Sequence, residues 1–379
     1  MYELYISKCC KEQREPVDIA YYRMVFNKEF NIGFYRQRKD LCDKCFTFQH
    51  SNAEEKEKQK EEYEKHIKRK VTARRHRDEA KILAQSGDIH FVEYDLEAIC
   101  NCPSSSSKLI YYKRRIAIYN FTMLDFDTEK RNVFCYCWHE GIGKKGAVEI
   151  GSCLLKYLKT KADGKPIVFM SDTCASQCRN VYISALLLYC VEAFNIPEIN
   201  QKYFEPGHSQ MEADNIHATI ELAKKNIPLF HPSGFYTIIR KASRKNPYDV
   251  HEMGTEDFVD IKYLKTILVK NAKVDSDGNA VNWLKIRWLQ YRKEDNKHIY
   301  FKYDLEDDDF KMIKIIRRGK RLPVEQIVLK NAYDKPLPIS SEKYDDLQDL
   351  CRQGIIPTQY HDFYKGFSVG TPTTDDEDN

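Results

Sequence analysis

Acidic residues occur in three segments of the chain where they could together hold a divalent cation. Asp95 lies near the end of an apolar run that begins at Ile89, and Asp172 ends another apolar run. Glu212 and Asp214 follow a Gly-containing turn, in the predicted first turn of a helix. Neighbouring carboxylates repel unless a cation lies between them. The acids therefore predict a two-metal site that holds Mg²⁺ or Mn²⁺.

The third acid of this site is either Glu212 or Asp214. The two residues lie roughly 200° apart around a helix, so they cannot both point into one site. The third ligand is left open between them with a slight preference for Asp214, and the other acid is expected to cap the helix. His208 is a candidate for positioning a scissile phosphate or the attacking water, the alternative being a structural histidine in a turn.

A second group of residues, near the start of the chain, has the composition of a structural zinc site. Two thiols separated by two residues can chelate one ion, and tetrahedral zinc needs two further ligands. The predicted ligands are Cys42, Cys45, either Cys9 or Cys10, and His66, with His50 as a competitor for the last place. The alternative is that these thiols are ordinary buried or surface cysteines.

The hydrophobic pattern predicts the elements that must position the acids. Short apolar strands alternate with amphipathic helices after residue 89, and the predicted order is three strands, helix, strand, helix, strand, helix. This is the order of an RNase H-like α/β fold, in which the first and fourth strands lie side by side. The predicted strands are Ile89–Leu96, Leu109–Phe121, Asn132–Trp138, the run ending at Asp172, and Glu198–Phe204. The predicted helices are 147–161, 175–194 and one opening near Met211. Asp172 could alternatively be the N-cap of the second of these helices.

Changes in composition divide the chain into five segments. We predict a helical Cys/His segment at 1–88, an RNase H-like domain at 89–245, a small β-rich module at 246–330, a helical hairpin at 331–370 and a disordered acidic tail at 371–379. The first segment includes a long charged helix whose second half, Lys68 to Arg77, is basic. This half could contact a phosphate backbone, although a solvated face is the more common role of such a run. The aromatic and basic residues of 283–303 could likewise bind nucleic acid, although an ordinary amphipathic sheet with one solvated face is the more common explanation.

Composition limits the class of protein. At 379 residues with 42% hydrophobic residues, the chain can bury a substantial core. The net charge of +4 is too small to establish nucleic-acid binding by itself. The 13 cysteines of a chain of this length favour a reducing compartment over a disulfide scaffold. No apolar run is long enough to span a bilayer, so no membrane partner is expected.

Three runs of the sequence resemble a family of transposon-derived animal proteins with a D-D-E/D transposase-type, RNase H-like domain. They are Ser171 to Asn180, Gly207 to Asp214, and Lys343 to Leu347 together with Gly354 to Tyr364. The resemblance implies the RNase H-like fold, DNA as partner, self-association and a nuclear location. In that family the RNase H-like domain is usually preceded by a cysteine-bearing segment like that around Cys42 and Cys45.

These features predict a metal-dependent nuclease or DNA strand-transferase. The alternative is a domesticated, catalytically inactive protein that binds nucleic acid or chromatin. A zinc-dependent protein-interaction module that binds no nucleic acid is a third hypothesis. Divalent-metal binding that depends on the carboxylates would separate the first hypothesis from the other two.

Overall fold

A computed structural model describes residues 2–30, 42–126, 131–161, 163–316 and 322–370 of the chain. The chain divides into two compact units, Met1–Phe46 and Thr47–Asn379. The acidic tail predicted at 371–379 lies outside the described residues.

The first unit contains two short helices joined by aromatic packing. They are α1 (Tyr2–Lys11) and α2 (Ile19–Glu29). The Asp18 side chain caps α2, because its Oδ1 accepts from the backbone N–H groups of Ala20 at 2.8 Å and Tyr21 at 2.9 Å. The ring of Tyr22 lies 5.2 Å from that of Tyr2, between ring centroids, which ties α2 to α1.

The second unit begins within a short helix and continues into a long one. Helix α3 (Asp43–His50) is followed by α4 (Ala53–Gln85), whose 33 residues include the predicted charged helix. Asn52 and Glu55 form a reciprocal capping box at its start. Ala73, Ala80 and Ala84 of α4 are buried in the same apolar cluster as strand residues. Because this half of α4 packs on the sheet, the units separate at 46/47 and not at the predicted 88/89.

One mixed sheet of ten strands forms the centre of the second unit, among the residues described. The strands are β1 (His90–Leu96), β2 (Cys100–Cys102), β3 (Ile116–Asp125), β4 (Asn132–His139), β5 (Ile167–Ser171), β6 (Glu198–Tyr203), β7 (Asp249–Glu252), β8 (Trp288–Arg292), β9 (His298–Lys302) and β10 (Lys311–Lys314). Their order is β10-β9-β8-β6-β5-β1-β3-β4-β7, with β2 paired to β3. Strand β1 is antiparallel to β3 and parallel to β5, and β5 is parallel to β6. The predicted adjacency of the first strand and the strand that leads to Asp172 is therefore confirmed.

Helices cover both faces of this sheet. The remaining ones are α5 (Lys108–Tyr111), α6 (Ala147–Leu158), α7 (Val181–Ala193), α8 (Glu212–Lys224), α9 (Pro232–Ala242), α10 (Ile261–Leu268), α11 (Ser341–Arg352) and α12 (His361–Lys365), which makes twelve α-helices in the described ranges. Helices α6, α7 and α10 share an apolar cluster with Val92 and Tyr94 of β1. Helices α4, α8 and α9 share another with Phe91, whose side chain points to the opposite face because strand residues alternate.

Three predicted elements differ from those observed. Leu109 lies in α5, and the strand predicted to start there begins at Ile116. The helix predicted from Ala175 begins at Val181, because the Asn180 side chain accepts from the N–H groups of Tyr182 and Ile183 and caps it. Strands β8 to β10 extend the central sheet from β6, so residues 246–330 do not form the separate module that was predicted. Sequence pattern identifies a strand, but it does not specify which sheet the strand joins.

Candidate functional site

The register of β1 and β5 brings Asp95 level with Asp172. Glu93 of β1 pairs with Met170 of β5 in a parallel ladder. Two residues further along each chain are Asp95 and Asp172, the latter just beyond the end of β5. Both acids therefore lie at the carboxyl ends of adjacent parallel strands, where side chains from several elements can converge.

Strand β1 also fixes the start of α8. The N-cap of α8, Met211, has no side chain able to accept a hydrogen bond from the first turn. The Oε2 of Glu93 takes that role, accepting from the backbone N–H of Glu212 at 2.8 Å. Glu93 is fully buried, and burial raises the pKa of its carboxyl group. This contact places the first turn of α8 beside the end of β1.

Asp95, Asp214 and His217 lie together in a cluster that we call the carboxylate centre. Each offers one ligand atom, and the three atoms lie within 4.8 Å of one another. Asp214 and His217 are three residues apart on α8 and therefore share one helix face. Asp95 and His217 are partly buried, and Asp214 is exposed. Sequence reasoning missed His217, although its spacing from Asp214 was a usable signal.

The electrostatics of the centre reflect close packing of like charges. Burial, followed by the negative charges of Asp172 and then Asp214, raises the pKa of Asp95 to about 7. Burial lowers the pKa of His217 to about 4, so its imidazole is neutral at neutral pH. Two acids and a neutral imidazole present oxygen and nitrogen lone pairs to the same point, which suits a divalent cation.

Asp172 is near this centre but outside the 4.8 Å group formed by the described residues. Its Oδ1 accepts from the backbone N–H of Cys174 at 3.0 Å and from the Cys178 thiol at 3.4 Å. The carboxylate thus closes the turn that follows β5, and it does not cap α7. The negative charge of Asp172 nevertheless contributes to the raised pKa of Asp95.

Glu212 points away from the carboxylate centre. Its carboxylate forms ion pairs with Lys81 of α4 and with Arg131. Of the two acids left open by the sequence, Asp214 is the one that lies with Asp95.

His208 is not at the carboxylate centre, where it was predicted to position a phosphate or water. It is buried and lies against His66 of α4, with 3.0 Å between the two Nε2 atoms. The Nδ1 of His66 lies 2.9 Å from Oε1 of the buried Glu205. Glu205 is in turn paired with Arg69 at 3.3 Å and Arg287 at 3.1 Å, measured from its Oε2. A carboxylate that accepts from Nδ1–H leaves Nε2 with its lone pair, as in metal-ligating histidines.

Two cysteines lie at the start of α3. Cys42 immediately precedes α3 and Cys45 is in its first turn, where the Cys45 N–H lies 3.4 Å from the Cys42 sulfur. Cys42, Cys45, His66 and His208 are a donor set that could hold a metal such as zinc. Cys9, Cys10 and His50, the other residues considered from the sequence, are not members of this set, and His208 is. Cys10 and His50 are exposed on their helices.

The basic half of α4, predicted as a possible phosphate contact, is occupied by partners within the second unit. Lys68 lies 3.4 Å from Glu306, and Arg75 also pairs with Glu306. Arg74 donates to the Gln210 side chain, and Arg77 donates to the Gln210 carbonyl at 3.3 Å. These side chains attach α4 to the segments before α8 and after β9.

No helix among the described residues combines the length and apolar character needed to cross a membrane.

Comparisons with known proteins add no assignment. No family model, curated protein or solved structure matches this chain.

Proposed function

We propose that the protein is an RNase H-like, metal-dependent DNA nuclease or strand-transferase whose reaction occurs at the carboxylate centre. The observation that supports this most directly is the convergence of Asp95 with Asp214 and His217, with Asp172 level with Asp95 on the adjacent strand. The order β4-β3-β1-β5-β6, with β3 antiparallel and β5 parallel to β1, also agrees with the RNase H-like arrangement expected from the resemblance.

In this proposal the chain's own residues hold Mg²⁺ or Mn²⁺ and orient the DNA. Asp95 and Asp214 provide the ligand charge, and Asp172 adds negative charge from the neighbouring strand. A bound divalent ion would polarise the scissile phosphate and favour deprotonation of the attacking water or 3′-hydroxyl. Glu93 contributes indirectly, by holding the first turn of α8 in place through the Glu212 N–H.

A surface at the far end of α8 offers a contact for DNA. A groove there is lined by Arg115, Lys224, Lys225 and Ser104 to Ser106, and also by Glu221, which pairs with Lys224. Cations and hydroxyls of this kind contact phosphates in most DNA complexes. Residues of α8 about ten positions apart are about 15 Å from each other along the helix axis. The helix would thus connect a phosphate-binding groove with the carboxylate centre, and a DNA substrate would place the protein in the nucleus.

Single substitutions at the carboxylates test the proposal. Asp95→Asn and Asp214→Asn remove ligand charge at nearly constant volume, so each should lower metal-dependent cleavage by at least about 10²-fold, the effect of losing one electrostatic catalytic group. DNA binding, measured by fluorescence anisotropy, should remain. Asp277→Asn is the matched control, since it makes the same change at an exposed turn position outside the carboxylate centre. Equal cleavage by Asp214→Asn and the parent protein would refute the assignment.

A catalytically inactive, DNA-binding protein is the second candidate function. One observation favours it: the Asp172 carboxylate is engaged by Cys174 and Cys178 and lies outside the 4.8 Å group. A parent protein that binds DNA in a salt-sensitive manner, yet cleaves none with Mg²⁺ or Mn²⁺, would establish this alternative.

We also propose that the metal of the Cys/His donor set is zinc with a structural role. Thiolate and imidazole ligands favour Zn²⁺, and the orientation of His66 by Glu205 is the typical arrangement around such a ligand. Purified protein should contain one zinc per chain, and Cys42→Ser and His208→Ala should each lose most of it. Cys10→Ser, at an exposed cysteine, is the control and should retain zinc. Equal zinc in all four proteins, by elemental analysis, would contradict the proposal.

A further inference from the structure

His217 has the position of a ligand at the carboxylate centre, although it was not among the predicted metal-binding residues. We propose that His217 Nδ1 is a nitrogen ligand of the divalent cation held by Asp95 and Asp214, and that the centre consequently prefers Mn²⁺ to Mg²⁺. This inference rests on the proposed function, because it assumes that the carboxylates hold a cation. It adds a residue and a metal preference to that function.

The orientation of the imidazole is set by a buried hydroxyl. His217 Nε2 lies 3.1 Å from Oγ1 of Thr122, a fully buried residue of β3. Thr122 pairs with Asp95 across the β1–β3 ladder, so the hydroxyl and the carboxylate belong to the same row of the sheet. When Nε2–H donates to Thr122, Nδ1 is left unprotonated with its lone pair directed at the carboxylates. Fixing one ring nitrogen by a hydrogen bond is how proteins orient histidine ligands.

The separation between His217 and Asp95 also fits two ligands of one ion. Nδ1 of His217 lies 3.9 Å from Oδ2 of Asp95, which is too long for a hydrogen bond. Ligand atoms lie about 2.0–2.2 Å from ions of this size, so two ligands of one ion can be up to about 4 Å apart. The gap between the imidazole and the carboxylate is thus about wide enough for one cation. Both side chains are largely shielded from solvent, with exposed fractions of 13% for His217 and 23% for Asp95.

A nitrogen ligand has a consequence for metal choice. Mg²⁺ prefers oxygen ligands and keeps its waters, whereas first-row transition ions bind imidazole well. A centre with two carboxylates and one imidazole should therefore bind Mn²⁺ more tightly than Mg²⁺. Replacing His217 by Gln, which offers an amide oxygen, should weaken Mn²⁺ binding by at least roughly 10- to 100-fold, the loss typical of mutating only the hydrogen-bond partner of a ligating histidine. Mg²⁺ binding should change less, so the preference should shrink.

Electron paramagnetic resonance of the Mn²⁺-loaded full chain, with the Cys/His donor set loaded with zinc, tests the ligand directly. Pulsed spectra of the parent protein should show modulation from a directly coordinated nitrogen, and His217→Gln should lose it. His298→Gln is the matched control, because His298 also lies three residues after an aspartate, Asp295, but outside the centre. That variant should keep both the nitrogen modulation and the Mn²⁺ affinity of the parent.

The outcomes separate this inference from the function on which it rests. Mn²⁺ bound in an Asp95-dependent manner without nitrogen modulation would overturn the role of His217 and leave the carboxylate proposal standing. No Mn²⁺ or Mg²⁺ binding at the centre would overturn both. If His217→Gln does not fold, the spectrum of the parent protein alone decides, since nitrogen modulation that survives Cys42→Ser but not Asp95→Asn must come from this centre.

Discussion

At the scale of single residues, β1 and the residue that follows it carry three acids whose ionisation the protein opposes. They are Glu93 and Asp95 of β1 and Glu97 just beyond its end. All three have raised pKa values, with burial as the main cause. A bound cation would compensate the cost of burying the Asp95 carboxylate. Glu97 is further along, where its Oε2 accepts from Asn120 at 2.8 Å and its Oε1 has no hydrogen-bond partner among the described residues.

The pKa of Glu97 gives a prediction for stability against pH. Burial raises this pKa to about 7 from 4.5, so between these values the folded protein keeps a proton that the unfolded chain has lost. Glu97 therefore makes the protein less stable as pH rises from about 4.5 to 7, by up to about 3 kcal/mol. Glu97→Gln removes this penalty and should be more stable than the parent at pH 8, but not at pH 4. Urea unfolding at the two pH values measures this.

A matched control for this prediction is Glu221→Gln. Glu221 of α8 lies near Glu97 but is exposed, so its substitution should change stability little at either pH. An equal gain for Glu97→Gln at pH 4 and pH 8 would show that burial of charge is not the cause.

At the scale of elements, the centre depends on how α8 is attached to β1. The helix has no side-chain cap of its own, and Glu93 from the strand accepts the Glu212 N–H instead. Glu212 then pairs with Lys81, which connects α8 to α4. The position of Asp214 and His217 thus depends on one carboxylate from a strand and one ion pair from a distant helix.

Removing the strand-derived cap should loosen this attachment. Glu93→Ala leaves the Glu212 N–H unsatisfied, which should cost about 1–3 kcal/mol of unfolding free energy and weaken divalent-metal binding at the centre. Glu93→Gln keeps an acceptor oxygen and should cost less. Urea unfolding and Mn²⁺ titration of both variants test this. If the two substitutions are equally destabilising, the hydrogen bond to Glu212 is not what holds the helix.

At the scale of the whole molecule, the sheet determines how the second unit behaves. Strands β8, β9 and β10 continue the sheet from β6, and Leu289, Ile299 and Phe301 are buried in the same cluster as Tyr94 and Phe169. The region predicted as a separate β-rich module therefore shares its core with the strands that position the carboxylates.

A substitution in β9, one strand in from the edge of the sheet, should consequently destabilise the whole unit. Phe301 is fully buried in β9, so Phe301→Ala should cost about 3–5 kcal/mol. The loss of tertiary and of secondary structure, followed by near- and far-ultraviolet circular dichroism, should coincide in one transition for Thr47–Asn379. Met312→Ala, at a side chain of β10 that is 37% exposed, is the control. Two separate transitions in the Phe301→Ala protein would instead indicate an independent module.

The sequence by itself determined the types and order of the elements that surround the centre. The apolar runs ending near Asp95 and Asp172 gave strands, because alternation and burial act over a few residues, and the helix opening near Met211 was also predicted closely. The sequence also narrowed the third acid to Glu212 or Asp214, because helical periodicity separates their side chains.

Only the tertiary structure decided which of these residues meet. Asp214 rather than Glu212 lies beside Asp95, because contacts from Glu93 and Lys81, more than 100 residues away, fix the rotation of α8. His217 lies with the acids, whereas His208 lies against His66. Both positions follow from packing between segments that are far apart in the chain. The basic half of α4, which resembled a phosphate-binding surface, pairs with Glu205, Gln210 and Glu306. Local patterns specify elements, whereas long-range contacts specify the site.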